Sequence, residues 1–303
     1  MAAPQQHVAP SAHQSHVLPE VLHLDVPAQR RGCLVADSPH SGTQYPVDFN
    51  YACDLSELKK AEDTGIDQLF GFFPALGVPF LQADFPRAYV DPNRKDAVTE
   101  KFRAEGEQEY VPTETGLIRA RCTPRSSQNV YDRKIPLSEA FNRVAKYHAP
   151  YHRALAQLLD DVQQAEGCVV HVNCHSMPST TQRGAQQNPF DIVIGTQRGL
   201  TCAPEIAENL KALFTARGYK ATIDMPGYRG AEIILQHGKP AAGRHSLQLE
   251  INRGLYMDED TLQIKPAAAK LRQDLEAVMR DFADYCDALP KSPKPSSGIR
   301  PSV

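Results

Sequence analysis

No stretch of this 303-residue chain stays apolar long enough to cross a bilayer. The first twenty residues are rich in Ala, Gln, His and Pro and lack the apolar core of a signal peptide. No long basic run occurs, and the formal charge is only -3, so neither nucleic acid nor an anionic membrane has an electrostatic footing. The seven cysteines are odd in number and contain no Cys-x-x-Cys pair, which argues against a disulfide framework and a structural zinc knuckle. Several lie inside apolar runs, where cysteine serves as a small hydrophobe. A reducing, cytoplasmic setting follows. There is no internal repeat and no break in composition, so one catalytic domain is expected over residues 21–289. Loose segments are expected at 1–20 and in the Pro/Ser/Lys-rich 290–303.

What is present alternates strand-like and helix-like runs. Leu34-Val35-Ala36, Val78 to Ala83, Ala88 to Val90, Cys168 to Cys174, Phe190 to Ile194, Tyr219 to Ile223, Glu232 to Leu235 and His245 to Asn252 read as strands. Helical spacing recurs after Asp63, from Pro136 to Val162 with Pro150 expected to kink it, after Thr201, and from Pro266 to Leu289. That order predicts an α/β fold, a three-layer α/β/α sandwich around a mixed, mostly parallel sheet. Residues 95–133 lose all periodicity. A span that long inside a compact domain is usually functional, and it is expected to lie over the active site.

Val169 to Val172 is an apolar run of the buried-parallel kind, and it ends on Asn173, His175 and Pro178. Ligands in open α/β sheets sit beyond the carboxyl ends of strands. His40, in the Asp37-Ser-Pro-His-Ser-Gly42 exit loop of another strand, stands at an equivalent place. Two histidines plus a carboxylate match a catalytic zinc site that keeps its fourth position for water. The carboxylate is either Glu62 or Asp63, although Asp63 alone would also cap a helix. Asp67, one turn further on, is a candidate to support them. In His245 to Asn252, Leu247, Leu249 and Ile251 face one way and Gln248, Glu250 and Asn252 the other. Glu250 on such a strand is costly to bury, so it is either a general base beside a metal-bound water or an ion-pair partner of Arg253 or another arginine. Arg94, Arg183, Arg229 and Arg253 lie in or near loops and could grip a substrate carboxylate; Asn93-Arg94 is the preferred pair. His148 falls on an apolar stripe and reads as a packing residue. Cys174 faces away from His175 and reads as core.

These motifs resemble the N-formylglutamate amidohydrolase (N-formylglutamate deformylase) family. The likeness spans Leu34 to Glu259 and rests chiefly on Asp37 to Gly42, Val90-Asp-Pro-Asn-Arg94, His175-Ser-Met177, Tyr228-Arg-Gly230 and Gln248 to Glu259. The resemblance implies hydrolysis of N-formyl-L-glutamate to formate and L-glutamate, the closing step of one route of histidine breakdown. It implies a fold like the zinc carboxypeptidases and aspartoacylases, with zinc held by His40, Asp63 and His175. It also implies Glu250 as base and Asn93 and Arg94 as a carboxylate clamp, with Arg229 or Arg253 assisting. Two positions depart from the family's habit: Asn173 replaces an acidic residue, and Thr64-Gly65 replaces Trp-His. A related deacylase or carboxypeptidase acting on another N-acyl amino acid or short peptide, or a non-catalytic binder of acidic metabolites, are the alternatives.

Overall fold

The computed structural model describes residues 13–105, 107–180 and 186–291. The strands are β1 (His13–Leu18), β2 (Leu22–Pro27), β3 (Leu34–Ser38), β4 (Phe80–Ala83), β5 (Glu109–Tyr110), β6 (Ile135–Pro136), β7 (Val169–Met177), β8 (Ile192–Gly195), β9 (Ala221–Ile223) and β10 (Arg244–Asn252). The α-helices are α1 (Leu55–Lys59), α2 (Ile66–Phe70), α3 (Thr99–Glu105), α4 (Leu137–Arg143), α5 (Ala149–Glu166), α6 (Pro204–Ala216), α7 (Glu232–His237) and α8 (Ala267–Asp287). Eight strands form one sheet in the order β1-β2-β4-β3-β7-β10-β8-β9. The centre, β4-β3-β7-β10, is parallel; β1, β2 and β8 join antiparallel and β9 runs parallel to β8. The result is an α/β fold with a mixed, mostly parallel sheet.

Both faces of the central strands are covered, so every residue of β3 and β7 is buried, the polar ones included. Leu34, Ala36, Val170, Val172, Cys174, Leu247, Leu249 and Ile251 pack on one face against α2, α6 and α8. Val35, Leu81 and Val169 pack on the other against α4 and α5. All seven cysteines are buried and free. Among the described residues no helix is long and apolar enough to cross a membrane.

Four local expectations are corrected. Residues 13–18, assigned by composition to a loose terminus, pair with β2 and form the sheet edge. Ala88 to Val90 is a buried turn, not a strand: Tyr89 N–H bonds back to the Pro86 carbonyl, and Pro86 and Pro92 bracket the run. Glu232 to Leu235 opens α7, because a short apolar run fits either element and only packing decides it. The Pro136–Val162 stripe is helical throughout, but Pro150 is accommodated by a π-helical turn at Val144–His148 between α4 and α5. Proline has no N–H to give the carbonyl four residues back, and a wider turn absorbs the loss. The 95–133 excursion contains α3 and β5, and β5 pairs with β6 just beyond it. Its remainder is pinned by bridges between Thr113 and Arg119 and between Arg121 and Asn129.

Candidate functional site

The carboxyl ends of β3, β7 and β10 lie side by side, and one face of these strands carries a row of buried polar side chains. Alternation puts Asp37 there from β3, His171, Asn173 and His175 from β7, and Ser246, Gln248 and Glu250 from β10. The lower half of the row is self-satisfied. Asp37 accepts from Asn173 Nδ2 at 2.6 Å and from the Tyr151 hydroxyl at 2.8 Å, and its Oδ1 lies 3.0 Å from His171 Nε2. His171 Nδ1 lies 2.8 Å from the Ser246 hydroxyl. Burial alone would raise the Asp37 pKa, but the His171 ring and these hydrogen bonds outweigh it and hold the carboxyl low.

The upper end of the row opens on a cleft of about 1270 Å³. There His40, Asp63 and His175 converge from three distant segments, all buried, with one ligand atom of each within 4.8 Å of the others. His175 Nδ1 lies 2.9 Å and His40 Nδ1 3.5 Å from Asp63 Oδ2. His40 is set there by the β3 exit loop, whose Gly42 allows the chain to touch the backbone of Asp84 and Phe85. Asp63 N–H bonds the His40 carbonyl at 3.0 Å, tying the two segments together. Asp63 does not cap α2; Gly65, in the left-handed region at φ 79°, begins that helix without a side-chain cap. Burial would raise the Asp63 pKa, but the hydrogen bond with His175 and the nearby His40 ring prevail and hold it well below the usual range. Glu62 points elsewhere, to the Tyr45 hydroxyl, and burial lifts its pKa to about 7. Asp67 makes no hydrogen bond to the trio; burial raises its pKa on α2.

The rear nitrogens of both rings are engaged. His40 Nε2 is 2.7 Å from Asp91 Oδ1, and His175 Nε2 is 2.7 Å from Asn173 Oδ1. Asn173 therefore keeps the acceptor that an acid would offer, without its charge. That leaves His40 Nδ1 buried with no hydrogen-bond partner among the described residues. An orphaned imidazole nitrogen facing a carboxylate and a second imidazole is a donor set that fits a divalent cation such as zinc.

Glu250 sits directly opposite His175 in the β7–β10 register. Its Oε1 accepts from Gln248 Nε2 at 2.7 Å, while its Oε2 is buried without a partner among the described residues. Burial raises its pKa against the opposing pull of His175. It makes no ion pair with Arg253. That guanidinium turns inward instead: Nη2 donates to Asp63 Oδ1 at 3.0 Å and to the Glu62 carbonyl at 2.6 Å, Nη1 to the Lys60 carbonyl, and Nε to Ser176 Oγ. Four of its five N–H groups are spent, so it braces Asp63.

Asn93 and Arg94 both line the cleft. Asn93 Oδ1 accepts from Ile233 N–H and its Nδ2 donates to Gln248 Oε1. Arg94 is fixed by the Thr115 and Asn93 carbonyls. His148 and His152 support this turn, with Nε2 atoms 2.9 and 2.8 Å from the Arg94 and Pro92 carbonyls. Arg229 does not line the cleft; its neighbour Tyr228 does, with a buried hydroxyl that has no partner among the described residues. Arg183 lies outside the described residues. Sequence reasoning missed Asp91, Arg87 and Arg119. Arg87 donates to Asp91 Oδ2 at 2.8 Å and Arg119 at 3.3 Å, and both line the cleft. Asp91, opening the polar Asp91-Pro-Asn-Arg94 turn, was the signal available.

Two imidazoles and a carboxylate at a sheet's carboxyl edge, faced by a strand-borne glutamate with a spare oxygen, form the kind of site that metal-dependent hydrolases use. The sequence narrows this class. The model of the N-formylglutamate amidohydrolase family matches residues 32–257, and the chain belongs to that family. It is 35% identical to the N-formylglutamate amidohydrolase of Ralstonia eutropha JMP134, whose crystal structure superposes with a TM-score of 0.79 over 88% of this chain and 98% of that one. N-formylglutamate deformylases of Pseudomonas aeruginosa and Pseudomonas putida are each 27% identical to it. Each match covers 83% of this chain, and 91% and 94% of theirs respectively.

Proposed function

We propose that this protein is a metal-dependent amidohydrolase that cleaves N-formyl-L-glutamate to formate and L-glutamate, serving histidine degradation in the cytoplasm. The observation that carries the reading is the buried meeting of His40, Asp63 and His175 in the lining of a cleft that arginines also line. Those three would hold the cation, in the manner of zinc carboxypeptidases. Once bound, it would supply Lewis acidity beside the scissile carbonyl and favour ionisation of water.

The chain's own groups then have distinct tasks. Asp91 and Asn173 fix the orientation of the two rings through their rear nitrogens. Glu250, with Oε2 uncommitted and its pKa raised by burial, takes a proton from the attacking water and delivers it to the departing amine. Water adds to the formyl carbon, the C–N bond breaks, and the nitrogen leaves as the amino group of glutamate. Arg94, pre-set by two backbone carbonyls, takes the α-carboxylate beside Asn93.

Formate release from N-formyl-L-glutamate tests the reading. Chelation should abolish it and added zinc restore it. Glu250→Gln should retain metal by elemental analysis and lose roughly 10²–10⁴-fold in kcat. A variant at wild-type rate removes Glu250 as the base.

A further inference from the structure

Around Asp91 the wall of the cleft sets three guanidiniums against one carboxylate. Arg87, Arg94 and Arg119 all line it. Asp91 stands among them, and its oxygens are fully subscribed. Oδ1 is taken by His40 Nε2 at 2.7 Å and by Asn93 N–H at 2.9 Å. Oδ2 is taken by Arg87 through Nε at 3.2 Å and Nη2 at 2.8 Å. Arg119 reaches the same oxygen last, with one Nη2 contact at 3.3 Å.

Arg119 is poorly satisfied for a buried cation. It is 7% exposed, and among the described residues its Nε has no hydrogen-bond partner. Among the described residues Asp91 is its one carboxylate contact. Burial first, and then repulsion from Arg87, pull its pKa down to about 9. A guanidinium with most of its planar fork unused, sharing its one carboxylate with Arg87, is a receptor for another carboxylate. Its placement is held firmly. Residues 113–120 are stitched to the Asp91–Arg94 turn: Asp91 N–H bonds the Leu117 carbonyl at 2.7 Å and Arg94 Nε the Thr115 carbonyl at 2.7 Å. Arg119 is itself bridged to Thr113.

We propose that Arg119, delivered into the cleft by the 95–133 excursion, binds the side-chain carboxylate of the substrate and sets the preference for acidic N-formyl amino acids. The proposal rests on the deformylase reading above, with Arg94 assigned to the α-carboxylate. It gives the excursion a purpose: it supplies the cation that turns a general carboxylate clamp into a dicarboxylate site. A neutral side chain would leave that buried charge uncompensated, so the wall selects against it as well as for the acid.

The test compares N-formyl-L-glutamate with N-formyl-L-glutamine, which are near-isosteric and differ in charge. The zinc-loaded full chain should prefer the acid. Arg119→Met should lower kcat/KM for the acid by roughly 10–100-fold more than for the amide, the loss falling in KM. Arg119→Lys keeps the charge but loses the fork, and should recover part of the preference; it also serves if the methionine variant folds poorly. Calorimetry gives a readout apart from turnover: L-glutamate should bind the wild type more tightly than L-glutamine, and Arg119→Lys should narrow the gap. Equal losses on both substrates, or an unchanged glutamate-to-glutamine binding ratio, would overturn the assignment to Arg119 and leave the deformylase reading standing. A wild type inert on both substrates but active on other acylated amino acids or peptides would overturn the deformylase reading, and this proposal with it.

Discussion

At the scale of single residues, the site is governed by which hydrogen-bonding groups are already spent. By sequence Arg253 suits a substrate carboxylate, being an arginine beside a loop with polar and glycine neighbours. In the fold its guanidinium holds Asp63, Ser176 and two backbone carbonyls. Arg253→Gln should therefore weaken zinc binding by roughly 10–100-fold, measured by competition with a chromophoric chelator. A variant that keeps wild-type zinc affinity and only raises KM would return Arg253 to substrate binding. Glu250 was legible in the sequence because an acid that alternates with leucines must be buried and must have a reason to be. His40 and His175 were legible because each stands near the carboxyl end of a strand, His40 just past β3 and His175 close to the end of β7. Arg87 and Arg119 were not, since nothing in a local window distinguishes an arginine that meets a distant aspartate from one in solvent. Arg229 shows the converse: its loop reaches the cleft, but the side chain there is Tyr228.

At the scale of elements, short connections fix the chemistry. The β3 exit loop runs so close to the β4 exit that a Cβ on Gly42 would stand 2.4 Å from the Asp84 carbonyl carbon and the Phe85 oxygen. Gly42→Ala should force that loop outward and take His40 with it. The expected cost is about 2 kcal/mol in chemical denaturation, accompanied by weaker zinc binding. An unchanged denaturation midpoint would show that the loop yields freely. The π-helical turn before α5 has a similar local logic. It sits where Pro150 breaks the ladder, and His148 in that turn and His152 beyond it meet the carbonyls of Arg94 and Pro92. Periodicity revealed the helix and the proline revealed its irregularity, but the binding turn it supports lies more than fifty residues away. The missed turn at 88–90 and the helix at 232–237 were apolar runs too short for their period to show.

At the scale of the whole molecule, burial of neutral histidines sets the response to acid. Burial pulls the pKa of His152 down to about 4 and that of His237 to about 3, below the ordinary value of about 6.5. The unfolded chain therefore binds protons in a range where the folded chain does not. Stability present above about pH 6.5 is lost as pH falls toward 4, by at most about 1.4 kcal/mol per pH unit for each ring. Asp37, held low in the fold, extends the loss below the ordinary carboxylate range. Thermal melts of the zinc-free protein should show a plateau at neutral pH and a steep fall below about 6.5, and His237→Gln should flatten part of it. A melting temperature constant from pH 7 to 4.5 would contradict this.

The alignment of β10 on β7 sets Glu250 across from His175 and Gln248 across from Asn173. Neighbouring positions on a strand point to opposite sides, so this alignment has only two outcomes. One extra residue in β10 ahead of Gln248 would carry the acid through the sheet to the aliphatic side and thrust a leucine at the imidazoles. The chemistry of this chain is thus written partly in parity: every active-site side chain could be retained, and the site would still be lost to a single odd step along one strand.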